Sequence, residues 1–334
     1  MSKGAAKDKP APYADLTPDC VLDALDSVGL RGDGRMSALN SYENRVYQAY
    51  MEDGPPVVVK FYRPARWTDA QILEEHVFTT ELSNREIPVV APLVLQGDKT
   101  LAEFNGYRFA VYPRRGGRAP ELEDSETLER MGRFLGRIHA VGAIEPYKVR
   151  PAIDIRSFAE EPRDWLLANN FIPGDIAPAW KAIVALAIDG VRRAFDKGGA
   201  ITNIRLHGDC HAGNVLWTPD GGPHFVDFDD SRMGPAIQDF WMLISGDRAS
   251  MTGQMADLLV GYEDFHEFDA REARLIEPLR TLRLIHYSAW IARRWTDPAF
   301  PAAFPWFNTQ RYWQDRVLEL REQVAAMDEP PLHL

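Results

Sequence analysis

The chain has 334 residues, 45% hydrophobic and 26% charged, the profile of a globular protein long enough for two lobes and a sizeable core. Its 49 acidic and 38 basic residues leave a net charge of −11, which disfavours DNA or RNA as a partner, because nucleic-acid binding rests on neutralising phosphates. No apolar run reaches membrane-spanning length, the polar stretch 1–14 lacks a signal-peptide centre and reads as a disordered tail, and two distant cysteines, Cys20 and Cys210, point to a reducing cytoplasm.

Along the chain, residues 17–30 predict an amphipathic helix, with Thr17 as its N-cap and Pro18 at the first helical position. Residues 31–35 read as a Gly-rich turn. The second half of 39–50 alternates like a strand, and 52–56 turns the chain. Residues 57–62 are β-rich and carry one cation, Lys60. A lysine on a buried strand is costly unless its ammonium meets negative charge. ATP phosphates and a helix carboxylate would satisfy it; an edge-strand lysine facing water is the alternative.

The pattern Thr68-Asp69-Ala70-Gln71 predicts a capped helix running to Leu82, its apolar face marked by Leu73, Val77, Phe78 and Leu82. Glu74 or Glu75 could pair with Lys60, and the spacing favours Glu75. Residues 88–95 read as a strand. Strands at 100–104 and 107–112 flank Asn105-Gly106, a strong hairpin signal. The first hundred-odd residues thus predict a small antiparallel sheet with one inserted helix. Tyr112 ends it, and residues 113–117 read as a hinge whose surroundings could recognise an adenine edge. Helices are expected over 127–142 and 178–197, with a buried helix beginning in 234–243. Asp239 near its start is expected to accept backbone N–H groups from the loop before it. Residues 258–334 read as mostly helical, broken at 295–306 by Pro298, Pro301 and Pro305.

The most informative stretch is Leu206-His207-Gly208-Asp209-Cys210-His211-Ala212-Gly213-Asn214, followed by Phe225-Val226-Asp227-Phe228-Asp229. Kinase-type phosphoryl transfer needs one carboxylate to orient the attacking hydroxyl, and an amide oxygen and a second carboxylate to hold Mg²⁺ on the phosphates. Asp209, Asn214 and Asp227 supply those groups. Mg²⁺ takes one or two protein carboxylates and completes its shell with phosphate and water. A hairpin through 215–217 and 224–226, turning at 219–222, would return Asp227 beside Asn214. Cys210 reads as an inert neighbour, with a redox role as the alternative.

Six segments carry a resemblance: LNSYENRVYQ (39–48), VVVKFYRP (57–64), RLHGDCHAGNVLW (205–217), FVDFDD (225–230), GPAIQDFWML (234–243) and RRWTDPAFP (293–301). With these the chain resembles the stress response kinase A (YihE/RdoA) family of serine/threonine protein kinases, within the aminoglycoside phosphotransferase/choline kinase-like group. The resemblance implies an α+β, bilobal protein-kinase-like fold: a nucleotide-binding N-lobe (15–112), the hinge, and a larger, mainly helical C-lobe (118–334). It implies dependence on ATP and Mg²⁺, a cytoplasmic monomer and a role in stress survival. It also implies Asp209 as catalytic, Asn214 and Asp227 as metal ligands and Ser41 as a nucleotide contact.

Several positions depart from ordinary protein kinases. No GxGxxG precedes the first strands; Asn40-Ser41-Tyr42-Glu43-Asn44 stands there, and Ser41 with backbone amides could donate to phosphate. Gly208 replaces the arginine of the HRD triplet, and Asp229 the glycine of DFG. His211 stands where a phosphate-contacting lysine is common; it would either assist γ-phosphate charge or shape the loop. A small-molecule kinase is the second functional reading, since fold does not set substrate. A non-catalytic nucleotide scaffold is disfavoured because Lys60, Asp209, Asn214 and Asp227 are all present. The Arg293-Arg294 pair reads as a salt-bridged helix face or as a contact for an anionic acceptor.

Overall fold

In the computed structural model, which describes residues 11–218 and 221–334, helix α1 (Pro18–Asp26) begins where the Thr17 hydroxyl accepts the Cys20 N–H. It ends short of the expected Leu30. Met1–Pro10 of the expected tail, and Pro219 and Asp220 of the expected turn, lie outside the described residues. Ala11–Asp15 form a turn, and the Tyr13 hydroxyl donates to the carbonyls of Glu43 (3.2 Å) and Phe61 (3.3 Å).

The chain divides into two units. One holds the described residues up to Leu73, Ala91–Arg114 and Arg294–Pro305; the other holds Glu74–Val90, Arg115–Arg293 and Trp306–Leu334. The chain thus crosses between units at 73/74, 90/91, 114/115, 293/294 and 305/306.

The first unit is built on five antiparallel strands: β1 (Gly32–Ala38), β2 (Arg45–Met51), β3 (Val57–Phe61), β4 (Ala102–Phe104) and β5 (Tyr107–Pro113), in the order β1-β2-β3-β5-β4. Residues 31–35, expected as a turn, start β1 instead. The β1–β2 register slips between Gly32 and Met36, so Asp33 and Gly34 are absorbed in a bulge, and the Asp33 carboxylate accepts the Arg35 N–H. Asn105 and Gly106 both take positive φ (49° and 79°), as the hairpin signal requires. Alternation on β3 sends Val57, Val59 and Phe61 into a core with Val21, Ala24 and Leu25 of α1. Lys60 therefore falls on the opposite face, in register with Val46 and Ala110, and is buried.

Helix α2 (Asp69–Asn84) starts with the predicted box: Thr68 and Gln71 exchange side-chain–backbone bonds of 3.0 and 3.3 Å. Its buried face differs from the expected one. Leu73 and Val77 are exposed, whereas Ile72, Glu75, His76, Phe78, Thr79 and Leu82 are buried. The buried row mixes polar and apolar side chains, which hides it from hydrophobic periodicity. Residues 88–95 form no strand among the described residues; with Pro88 and Pro92 lacking N–H groups, only isolated bridges form, at Val89 and Leu95.

The second unit is mainly helical: α3 (Ser125–Gly142), α4 (Glu161–Ala168), α5 (Ala177–Gly198), α6 (Arg248–Tyr262) and α7 (Ile276–Arg293). Helix α8 (Ala299–Ala303) is short and belongs to the first unit; α9 (Gln310–Asp328) closes the second. Helices α3 and α6 touch backbone to backbone. A Cβ at Gly132 would lie 1.9 Å from the Leu258 carbonyl oxygen, and one at Gly261 would lie 2.0 Å from that of Glu129. Two small ladders, β6 (Ile204–Arg205) with β9 (Met233–Gly234), and β7 (Val215–Thr218) with β8 (Gly222–Phe225), frame the loop between them. The buried helix expected from residue 234 is only a 3-10 turn, Ala236–Asp239: the Gln238 and Asp239 side chains bond to the neighbouring loop, and the Ile237 N–H donates to the Glu272 carboxylate rather than to a helical ladder. Among the described residues, no helix is long and apolar enough to cross a membrane.

Candidate active site

The loop between β6 and β7 is held from below by one carboxylate. Asp239 accepts the N–H of His207 (2.7 Å) and of Gly208 (2.8 Å) through separate oxygens. Asp239 is fully buried, and its second partner on one oxygen is His139 Nε2 at 3.1 Å. An acceptor at that nitrogen puts the proton there, so His139 Nδ1 accepts from the Tyr262 hydroxyl at 2.9 Å. Gln238 adds a bond from its amide nitrogen to the Gly208 carbonyl (3.0 Å). The expected structural role of Asp239 is thus met without the expected helix.

Gly208 has φ +87°, and a Cβ there would sit 2.2 Å from the Asp230 carbonyl oxygen. A side chain is excluded by backbone on one side and by conformation on the other. This is the physical reason that no HRD-type arginine occupies the position.

His207 joins the loop to the returning strand. Its Nδ1 accepts the Asp209 N–H (3.3 Å), which leaves the proton on Nε2 to donate to the Val226 carbonyl (2.9 Å). Asn214 closes the frame: its amide nitrogen donates to the Asp209 carbonyl (2.9 Å), and its own carbonyl accepts the Val226 N–H (3.0 Å). The backbones of Asp209, Asn214 and Asp227 are therefore tied together within one unit. Asp227 follows with φ 60° and ψ 62°, a left-handed conformation that costs a non-glycine residue on the order of 1–3 kcal/mol and is concentrated at functional sites.

Asp209 is met by a guanidinium and an imidazole. Arg283 Nη1 of α7 lies 2.7 Å from Oδ1, and His211 Nε2 lies 3.6 Å from Oδ2, long for a hydrogen bond. Burial pushes the Asp209 carboxyl up, and His211 and Arg283 more than offset it, so the group stays below the ordinary carboxylate range. His211 Nδ1 accepts the Gly213 N–H (3.0 Å) and so caps the 3-10 turn 212–214. Cys210 is fully buried, and its thiol is pushed well above the ordinary range by burial and by the charges of Asp239 and Asp209. A buried thiol held protonated is an inert neighbour rather than a redox group.

The residue set fits a hard cation of low protein demand. Asn214 spends its amide nitrogen on Asp209, which leaves Oδ1 as its remaining acceptor, and Asp227 adds one carboxylate. Among the described residues no three His, Cys, Asp or Glu side chains form a metal cluster. Two oxygen ligands suit Mg²⁺, which keeps phosphate and water in its shell.

The remaining sequence-predicted residues lie in both units. Ser41 donates to the Asn44 carbonyl (3.2 Å) and so tightens the 40–44 turn. The Tyr112 hydroxyl bonds that of Tyr62 (2.9 Å), and Lys60 shares their unit. Glu75, in the second unit, is buried. Glu74 is committed elsewhere, since its carboxylate accepts the N–H groups of Lys148 (2.6 Å), Val149 (3.0 Å) and Arg150 (2.8 Å). Sequence reasoning missed Arg283, His139 and Gln238, which act on the loop from distant helices and turns. Gln238 stands in the quoted motif 234–243 beside Asp239, whereas no local string marks Arg283 or His139.

Comparison with known proteins gives the family and the fold. Residues 36–276 match the model of the phosphotransferase enzyme family. The chain is 46% identical to stress response kinase A of Escherichia coli strain K12 over 322 residues, covering 96% of this chain and 97% of that protein. It is 45% identical, with the same coverage, to the serine/threonine protein kinase RdoA of Salmonella typhimurium strain LT2. Among solved structures, amicoumacin kinase hAmiN in complex with AMP-PNP, Ca²⁺ and Ami covers 94% of each chain with a TM-score of 0.71 at 19% identity. A microcompartment-associated aminopropanol kinase gives 0.69 at 14% identity, over 93% of this chain and 97% of that one. These structures carry the fold: the α+β, protein-kinase-like arrangement expected from the sequence is the one found. The chain belongs to the phosphotransferase enzyme family and, within it, to the stress response kinase A group.

Proposed function

We propose that this kinase transfers the γ-phosphate of ATP to a serine or threonine hydroxyl of a protein, acting as a Mg²⁺-dependent cytoplasmic monomer in stress survival. Asp209 orients the acceptor hydroxyl and takes its proton. Asn214 and Asp227 hold Mg²⁺, which when bound neutralises phosphate charge. Lys60, positioned by Glu75, meets the α- and β-phosphates, Ser41 and the backbone of its turn meet the outer phosphates, and Tyr112 borders the adenine. Residues 15–112 serve as the nucleotide lobe, 113–117 as the hinge and 118–334 as the catalytic lobe. His211 shapes the loop through its bond to Gly213.

The observation that carries this reading is the bonded frame joining Asp209, Asn214 and Val226, whose next residue is Asp227. Protein as acceptor is supported by the name of the Salmonella relative. The test is incubation with γ-labelled ATP and Mg²⁺, first alone, then with a protein extract and with a panel of hydroxylated metabolites. Label in phosphoserine or phosphothreonine is the expected result. Label confined to metabolites would replace the protein-kinase reading with the small-molecule one, which the fold of the aminopropanol and amicoumacin kinases keeps open.

A further inference from the structure

Beside the loop that carries Asp209, six side chains form a ring of successive neighbours. Arg283 contacts the Asp209 carboxylate at 2.7 Å. One turn along α7 from Arg283, His286 stacks on Phe158, centroid to centroid 4.6 Å. The Arg232 guanidinium lies over the same Phe158 ring at 5.0 Å and reaches Asp230 at 3.5 Å. Asp230 is in turn close enough to Asp209 for the two charges to repel. All six residues belong to the second unit.

The charge arithmetic of this ring is unusual for an acidic protein. An amine or polycationic acceptor is drawn by carboxylates that lack cationic partners. Here each carboxylate of the ring already faces a guanidinium, and the Phe158–His286 stack adds no negative charge. Arg283 is 41% exposed, so an incoming group can reach it. A guanidinium carries five N–H donors, and one carboxylate does not exhaust them.

We propose that this ring is an acceptor subsite that reads a negative charge beside the hydroxyl, so that the preferred substrate is a serine or threonine flanked by aspartate or glutamate. The assignment rests on the protein-kinase reading above. The acceptor carboxylate engages Arg283 and Arg232 and draws Arg283 partly off Asp209. That exchange frees a lone pair of Asp209 for the acceptor hydroxyl. Arg283 thus discriminates between acceptors by charge.

The experiment uses the whole protein, γ-labelled ATP and Mg²⁺, with three peptides that share a central serine and differ only in flanking Glu, Ala or Lys. The Glu-flanked peptide should exceed the Ala-flanked one about tenfold in kcat/KM, the size of one charge-assisted contact, and the Lys-flanked one should be poorest. Arg283→Gln and Arg232→Gln should each pull the Glu/Ala ratio toward one, while Arg283→Lys should keep most of it. Thermal unfolding of each variant separates lost preference from lost fold. A best rate on the Lys-flanked peptide, or an unchanged ratio in a folded Arg283→Gln protein, would overturn the inference and leave the protein-kinase reading standing. Label in metabolites and in none of the peptides would remove both.

Discussion

At the residue scale, the environment pushes two buried carboxyls in opposite directions. His211 and Arg283 hold the Asp209 carboxyl below the ordinary carboxylate range, which keeps it charged near neutral pH and suits the proton-accepting role proposed for it. Glu272 is the opposite case. It is buried, it accepts the Ile237 N–H at 2.8 Å, and desolvation pushes its carboxyl up to about 7. A carboxyl raised above its unfolded value binds its proton more tightly in the native state. Stability then falls as pH rises from about 4.5 to 7, and the loss is complete above that window. Glu272→Gln keeps the acceptor and removes the charge. Its stability in denaturant titrations should match wild type near pH 4.5 and exceed it by about 3 kcal/mol at pH 8. A constant difference across the range would mean that Glu272 does not titrate there. For His211, the bond to Gly213 is the feature the structure supplies. Glutamine can accept the same N–H, so His211→Gln should follow the wild-type activity profile over roughly pH 5.5–8, where a histidine titrates. A lost acidic limb would instead give His211 a charge role on the γ-phosphate.

At the element scale, the 40–44 turn owes its shape to a distant segment. Asp297 receives Arg63 at 2.6 Å and Arg45 at 3.1 Å, while Glu43 receives Arg63 at 2.9 Å and Arg294 at 2.7 Å. Tyr42 packs edge-on against Phe304 of the same unit. The motif RRWTDPAFP thereby gains a physical role: Arg294 and Asp297 are the two charges that clamp this network. Arg293 instead lies over Trp165 in the other unit, so the pair does not act as one face. Removing Asp297 takes one carboxylate from buried Arg63, which keeps Glu43, and one from half-buried Arg45, and losing such a charge-assisted partner costs about 1.5–3 kcal/mol. Asp297→Ala should therefore lower the stability measured in denaturant by that amount, and Asp297→Asn by less. A stability within experimental error of wild type would show the network to be dispensable. Elements are legible in the sequence where propensity and local capping agree, as at Thr17, Thr68 and Asn105-Gly106. They are hidden where tertiary pairing overrides local chemistry, as in the bulge of β1, or where prolines break an apolar run, as at 88–95. The buried face of α2 is hidden because Glu75, His76 and Thr79 are polar.

At the scale of the whole molecule, net acidity and phosphate chemistry coexist because cations are placed locally. The net charge of −11 is spread over the chain, while Arg283 and Arg232 stand beside the catalytic loop. The Asp209, Asn214 and Asp227 constellation is readable from sequence because it is compact and its spacing follows from one hairpin. The supports His139, Glu272 and Arg283 are not readable, because they converge from separate helices and turns. The division of labour within the constellation is itself testable. Asp227→Ala should lose the Mg²⁺-dependent part of nucleotide affinity, so that titration calorimetry with and without Mg²⁺ gives the same weak binding. A preserved Mg²⁺ effect would move the metal elsewhere.

The most direct measurement is single-turnover transfer from γ-labelled ATP by Asp209→Ala, paired with nucleotide binding by the same protein. Transfer should fall to background while affinity for ATP and Mg²⁺ stays near wild type, because Asp209 serves the acceptor and not the nucleotide. Turnover at the wild-type rate would show that the proton is taken elsewhere, and the catalytic assignment of this loop would be wrong.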